Sequence, residues 1–123
     1  MNIALWIAQG LLALVFALVG TVKLMLPKAQ FVARQPWAEE FSPAAIKTIG
    51  ALELLGGIGL IAPMLTNIRP GLTPWAAAGL VLTMLGAMVV HARRGEYRNV
   101  AANAVLLLLA AFVAYGRAAA IPA

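Results

Sequence analysis

A chain of 123 residues that is 63% hydrophobic and 11% charged leaves no room for a soluble domain beside its apolar segments, and residues 1–123 read as one membrane domain. It has no cysteine, which excludes disulfides, thiolate catalysis, iron–sulfur ligation and a CxxC redox pair within the chain; its one histidine cannot build a bis-histidine haem or a zinc site. The net charge of +5 comes from basic residues that flank apolar spans without interleaved aromatics, which points to a membrane surface and not to nucleic acid.

A membrane-spanning helix needs about 20 mostly apolar residues. The first predicted span runs from Ile3 to Leu26, and its first charge is Lys23. No basic stretch precedes it and no clear cleavage site follows, so it is expected to be a retained span. The second runs from Pro43 to Leu65 and carries Lys47 and Glu53. The third runs from Pro74 to Arg93. The fourth lies between Arg98 and Arg117 and is expected to be the shortest. Ser42-Pro43 and Thr73-Pro74 each place a capping hydroxyl before a proline at the first helical position. Pro63 is placed to kink or stop the second span. Asn67–Gly71 and Arg94–Tyr97 read as short turns, which favour antiparallel neighbours. The predicted fold class is an all-α integral membrane four-helix bundle, antiparallel and up-down.

The first connection, Pro27 to Phe41, is longer and holds Phe31, Val32, Trp37 and Phe41. It reads as an interfacial loop with aromatic anchors, in preference to a lid or partial re-entrant helix over the bundle. Lys23, Lys28, Arg34, Lys47, Arg93, Arg94 and Arg98 lie on the side of the first and third connections; Arg69 and Arg117 lie on the other. The positive-inside rule then places both termini outside the cytoplasm.

Helical spacing groups the small residues into faces. Gly10, Ala13, Ala17 and Gly20 share a face of the first span, which Lys23 continues. Gly50, Glu53 and Gly57 share a face of the second. Gly79, Thr83 and Gly86 do so in the third, and Asn99 and Asn103 in the fourth. Small residues allow close approach of membrane helices. Glu53 is expected near mid-membrane, with Lys23 roughly 10 Å away along the membrane normal, at about 1.5 Å per residue.

A carboxylate at that depth is costly unless it is paired, hydrated or protonated. Lys23, Glu53, His91, Asn99 and Asn103 are expected to gather in one half of the membrane. Two readings of Lys23 and Glu53 stand side by side: an ion pair that locks two helices, and a polar site for a ligand or partner. Gly20, Gly50 and Gly57 form the supporting groove. His91 reads as an interfacial residue and Asn103 as interhelical glue. No catalytic or metal-ligating residue is assigned.

The segments Phe16–Leu24, Ile49–Glu53 with its following glycines, and Ala87–His91 resemble the DoxX-like family of small four-helix membrane proteins. The Gly-Thr-Val-Lys-Leu and Ile-Gly-Ala-Leu-Glu pieces are also similar to those of NACHO, a eukaryotic assembly chaperone of that group. The resemblance implies two kinds of role. One is an accessory or chaperone-like protein that engages other membrane proteins, or a second copy of itself, without being an enzyme on its own. The alternative is a subunit of a quinone-linked membrane oxidoreductase, with a quinone lodged near Glu53, Lys23 and Asn103. The carry-over reaches Gly20, Lys23, Gly50, Glu53 and His91. The long charged C-terminal tail of NACHO has no counterpart in this sequence.

Overall fold

The computed structural model describes residues 2–120, and all its regular structure there is helical. Four helices are long and apolar enough to cross a membrane: α1 (Asn2–Met25), α3 (Pro43–Leu65), α4 (Leu72–Arg93) and α5 (Tyr97–Ala120). Between α1 and α3 the chain forms α2 (Lys28–Arg34) and a 3-10 turn, Pro36–Glu40. The four long helices make an antiparallel membrane bundle. The end that carries the first and third connections is called the basic end below; the other is the termini end.

Lipid tails give apolar helices little reason to leave them, so close backbone packing must hold such a bundle together. Here α1 and α3 approach most closely where both lack side-chain bulk. A methyl added to Gly20 would lie 2.6 Å from the Gly50 carbonyl oxygen, and one added to Gly57 would lie 3.2 Å from that of Ala13. α3 meets α4 through Gly56 against Leu80 and Gly59 against Ala76. α5 returns to α1 where Gly116 meets Leu5. The main core, with Leu12, Phe16, Leu60, Leu80 and Val113, occupies this region.

α1 and α3 form one tight pair, and α4 and α5 another. The cross-pair contacts Gly56–Leu80, Gly59–Ala76 and Leu5–Gly116 lie toward the termini end. Toward the basic end lies a second, smaller core of Phe31, Ala38 and Ile46, built from α2, the 3-10 turn and the start of α3.

Several expectations change. Ser42 caps α3 as expected, its Oγ accepting from the Ala45 N–H at 3.1 Å. Thr73 is no cap: α4 begins one residue earlier, and the Thr73 hydroxyl donates to the Gly59 carbonyl at 2.9 Å. Pro63 does not stop α3, which continues to Leu65. α5, expected to be shortest, has 24 residues and contains Arg117 within its last turn. A methyl added to Gly10, Gly79 or Gly86 would meet nothing within 4 Å. The turn after α3 uses positive φ at Asn67 and Arg69, and Gly95 (φ 71°) turns the chain into α5.

Candidate functional site

Glu53 is 2% exposed, and its Oε1 accepts a hydrogen bond from Lys23 Nζ across the α1–α3 seam. The expected offset of roughly 10 Å shrinks to about 5 Å because the two helices are staggered. A methyl on Gly50 would lie 2.6 Å from Lys23 Cβ, so Lys23 is level with Gly50, one turn from Glu53. About the first turn and a half of α3 therefore extends past the end of α1, and α2 with the 3-10 turn occupies the space left below. Lys47, on that overhang, donates from Nζ to the Leu24 carbonyl at 2.8 Å and satisfies an end of α1.

The first connection is folded where a loop was expected. Trp37 stacks edge-on with Phe31 (5.8 Å between centroids) and Phe41 (5.4 Å). It also meets the His91 ring at 6.1 Å, and Lys23 Nζ lies 5.7 Å from its centroid. The connection is tied to α4 by Arg94 Nη1 and Glu40 Oε1, 3.6 Å apart. Aromatic spacing at 31, 37 and 41 was the available signal; sequence cannot say that these rings turn toward the bundle axis.

Between the two cores lies a cavity of about 670 Å³. Phe16 and Met84 bound it toward the termini end, and Phe31 and Trp37 toward the basic end. Lys23, Glu53, His91, Asn99 and Asn103 all line it. So do Leu18 of α1, Leu52 of α3 and Leu82 of α4, each of which is also on the outer surface of the bundle. The cavity therefore opens sideways toward the surrounding lipid. Gly20, Gly50 and Gly57 do not line it; they bring α1 and α3 close enough for the ion pair to form.

His91 is buried at the end of α4, and its Nδ1 lies 2.8 Å from Glu96 Oε1. Glu96 was not anticipated as its partner. A carboxylate five residues after a helix-terminal histidine, across a glycine turn, was the signal available. The hydrogen bond with His91, aided by Arg94, holds the Glu96 carboxyl below its ordinary value of 4.5. Asn103 is half-buried and Asn99 is exposed at the cavity's edge.

A second polar group, at the termini end, was also missed. Arg117 is 4% exposed and donates from Nε to Gln9 Oε1 (2.6 Å) and from Nη1 to Asn2 Oδ1 (2.7 Å). Gln9 Nε2 donates to the Leu60 carbonyl at 2.6 Å. The guanidinium also faces the Trp6 ring at 5.2 Å. This cluster joins α1, α3 and α5, and no cavity adjoins it among those with lining residues described.

The model of the DoxX-like family matches residues 7–113 of this four-span chain. The chain belongs to the DoxX-like family. Lys23, Glu53, His91 and Asn103 lie inside the matched region; Asn2, Trp6 and Arg117 lie outside it. No curated protein and no solved structure matches this DoxX-like chain. Among the described residues no group of three or more His, Cys, Asp or Glu is placed to hold a metal ion.

Proposed function

We propose that this DoxX-like protein is a membrane accessory protein that holds one amphiphilic small molecule in the lateral cavity. Its polar head rests among Lys23, Glu53 and Asn103, and its apolar body extends toward the bilayer. The observation that carries this reading is the form of the cavity. It is closed at one end by the main core and at the other by the aromatic connection, and it opens to the side. Its 670 Å³ falls within the roughly 300–1,000 Å³ of small-molecule sites.

A partner helix, about 10–12 Å across with its side chains, needs an open groove along the bundle. The shape therefore favours the small-molecule reading, the quinone class included, over direct docking of a partner protein. The distribution of basic residues supports a cytoplasmic basic end with both termini outside. In that orientation the aromatic connection separates the cavity from the cytoplasm.

Purification from native membranes in lipid nanodiscs, followed by native mass spectrometry, tests the assignment. A discrete small-molecule adduct is expected on the wild type and not on Glu53→Gln or Asn103→Leu, both still helical. An unchanged adduct on both variants, or none on the wild type, would overturn it. Capture of one membrane protein by the wild type and not by Glu53→Gln, with no adduct, would return the site to partner assembly.

A further inference from the structure

The polar atoms that face the cavity differ in whether the protein already satisfies them. Glu53 uses Oε1 for Lys23, and among the described residues no donor reaches its Oε2. His91 uses Nδ1 for Glu96, and its Nε2 has no partner among the described residues. Neither atom is sealed in. Among the described residues the side-chain polar atom that is both fully enclosed and unpartnered is Arg117 Nη2, at the other end of the bundle. Oε2 of Glu53 and Nε2 of His91 are therefore within reach of a water-sized group. Both residues line the same cavity.

The chemistry of the two atoms follows from their partners. In its ionised form, the carboxylate paired with the Lys23 ammonium has a second oxygen that only accepts. Glu96, held in the ionised form by His91 and Arg94, accepts from Nδ1–H. In its neutral form, an imidazole that donates from Nδ1 accepts at Nε2. Lys23 gives one of its three N–H donors to Glu53, and its Nζ lies 5.7 Å from the Trp37 ring centroid. Asn103 supplies an amide that can donate or accept. The cavity thus offers two acceptors in need of donors.

We infer that the occupant is an alcohol- or phenol-headed amphiphile whose hydroxyl groups donate to Glu53 Oε2 and His91 Nε2. This rests on the small-molecule reading of the cavity and narrows it to a hydrogen-bond-donating head. A ketone, ether or ester of the same shape presents only acceptors and leaves both protein acceptors without a donor. An unmet acceptor of this kind is penalised more than a weak bond is rewarded, so discrimination should be steep.

Three probes of matched tail test it: dodecylresorcinol, its dimethyl ether, and dodecylbenzene. Binding to the purified protein in nanodiscs at pH 8 is followed by quenching of Trp37 in a Trp6→Phe, Trp75→Phe background. The resorcinol should bind at least about tenfold more tightly than either relative. The benzene is smaller than the resorcinol, so its weaker binding could not be steric. Glu53→Gln, which places an amide donor at the cavity, should collapse the preference while the helix content stays unchanged. His91→Phe should reduce it in part.

Equal binding of all three probes to the wild type would overturn the donor-head inference and leave the cavity reading standing. Binding of none would overturn the cavity reading and the inference with it.

Discussion

At the termini end, Gln9, Thr73 and Arg117 are buried and direct their hydrogen bonds at neighbouring helices. At the basic end, Glu53 and His91 are also buried, yet each keeps one polar atom without a partner among the described residues. Both ends place charge inside an apolar bundle, where an unmet polar group is costly. The first arrangement joins α1, α3, α4 and α5 by direct bonds. The second surrounds a cavity. Burial of a charged residue in a membrane is thus insufficient evidence of a site. Unfilled hydrogen-bonding capacity beside accessible space is the sharper criterion, and it separates Glu53 from Gln9. Arg117 Nη2 is unpartnered among the described residues as well, but it is fully enclosed, and Trp6 covers the guanidinium.

The largest expected effect lies in the Lys23–Glu53 pair. Removing either partner alone leaves the other buried and uncompensated, at a cost of about 3–5 kcal/mol. Lys23→Met and Glu53→Leu should each lower the thermal midpoint in detergent, and the double variant should recover most of the loss. The recovered protein should still fail to retain its ligand. A double variant that folds and binds as the wild type does would reduce the basic end to the same structural role as the termini end.

Arg117→Leu probes the other side of the comparison. It removes two charge-assisted hydrogen bonds, one to buried Gln9 and one to exposed Asn2. A bond to a charged group contributes about 1.5–3 kcal/mol, and the bond to Asn2 contributes less because water can replace the guanidinium there. The expected destabilisation is therefore about 2–3 kcal/mol. Arg117→Lys should fall between the two, since a lysine cannot present the guanidinium fork to Gln9 and Asn2 together. Ligand retained per folded molecule should not change in either variant. A parallel loss of ligand would mean that closure of the termini end holds the cavity open at the other.

How much of this was legible in the sequence depends on whether a property belongs to one helix or to two. The spans, the Ser42 cap and the oddity of Glu53 are properties of single segments, and they were readable. The stagger of α1 against α3 is not. It is set by where Gly20 meets Gly50, and the sequence supplies both glycines without their register. Arg117 and Thr73 failed for a related reason. Each sits where a flank charge or a cap is expected, and each turns inward because a neighbouring helix offers a partner. Gly10, Gly79 and Gly86 follow the small-residue pattern, yet a methyl added to any of them would meet nothing within 4 Å. Periodicity assigns residues to a common face but cannot tell which face is covered. The aromatic connection is the costliest omission for function, because Phe31 and Trp37 supply a boundary of the cavity.

The smallest effect concerns Glu96, at the aqueous edge of the basic end. The folded protein holds its carboxyl below the ordinary 4.5 through His91 and then Arg94. A group whose folded value is depressed contributes stability above its unfolded value, and loses that contribution as pH falls through the folded value. The contribution is thus complete at neutral pH and disappears in acid, below about pH 4 by the unperturbed glutamate value. Glu96 is solvent-screened, so the change should be near the detection limit of a thermal melt. Glu96→Gln should melt slightly below the wild type at neutral pH, and the gap should close as the pH falls into the acid range. The variant also weakens the bond that fixes the His91 tautomer, so the preference for hydroxyl-headed probes should soften even where the melts agree. Unchanged probe preference in Glu96→Gln would mean that His91 keeps Nε2 as an acceptor without this carboxylate, and would confine Glu96 to the surface of the basic end.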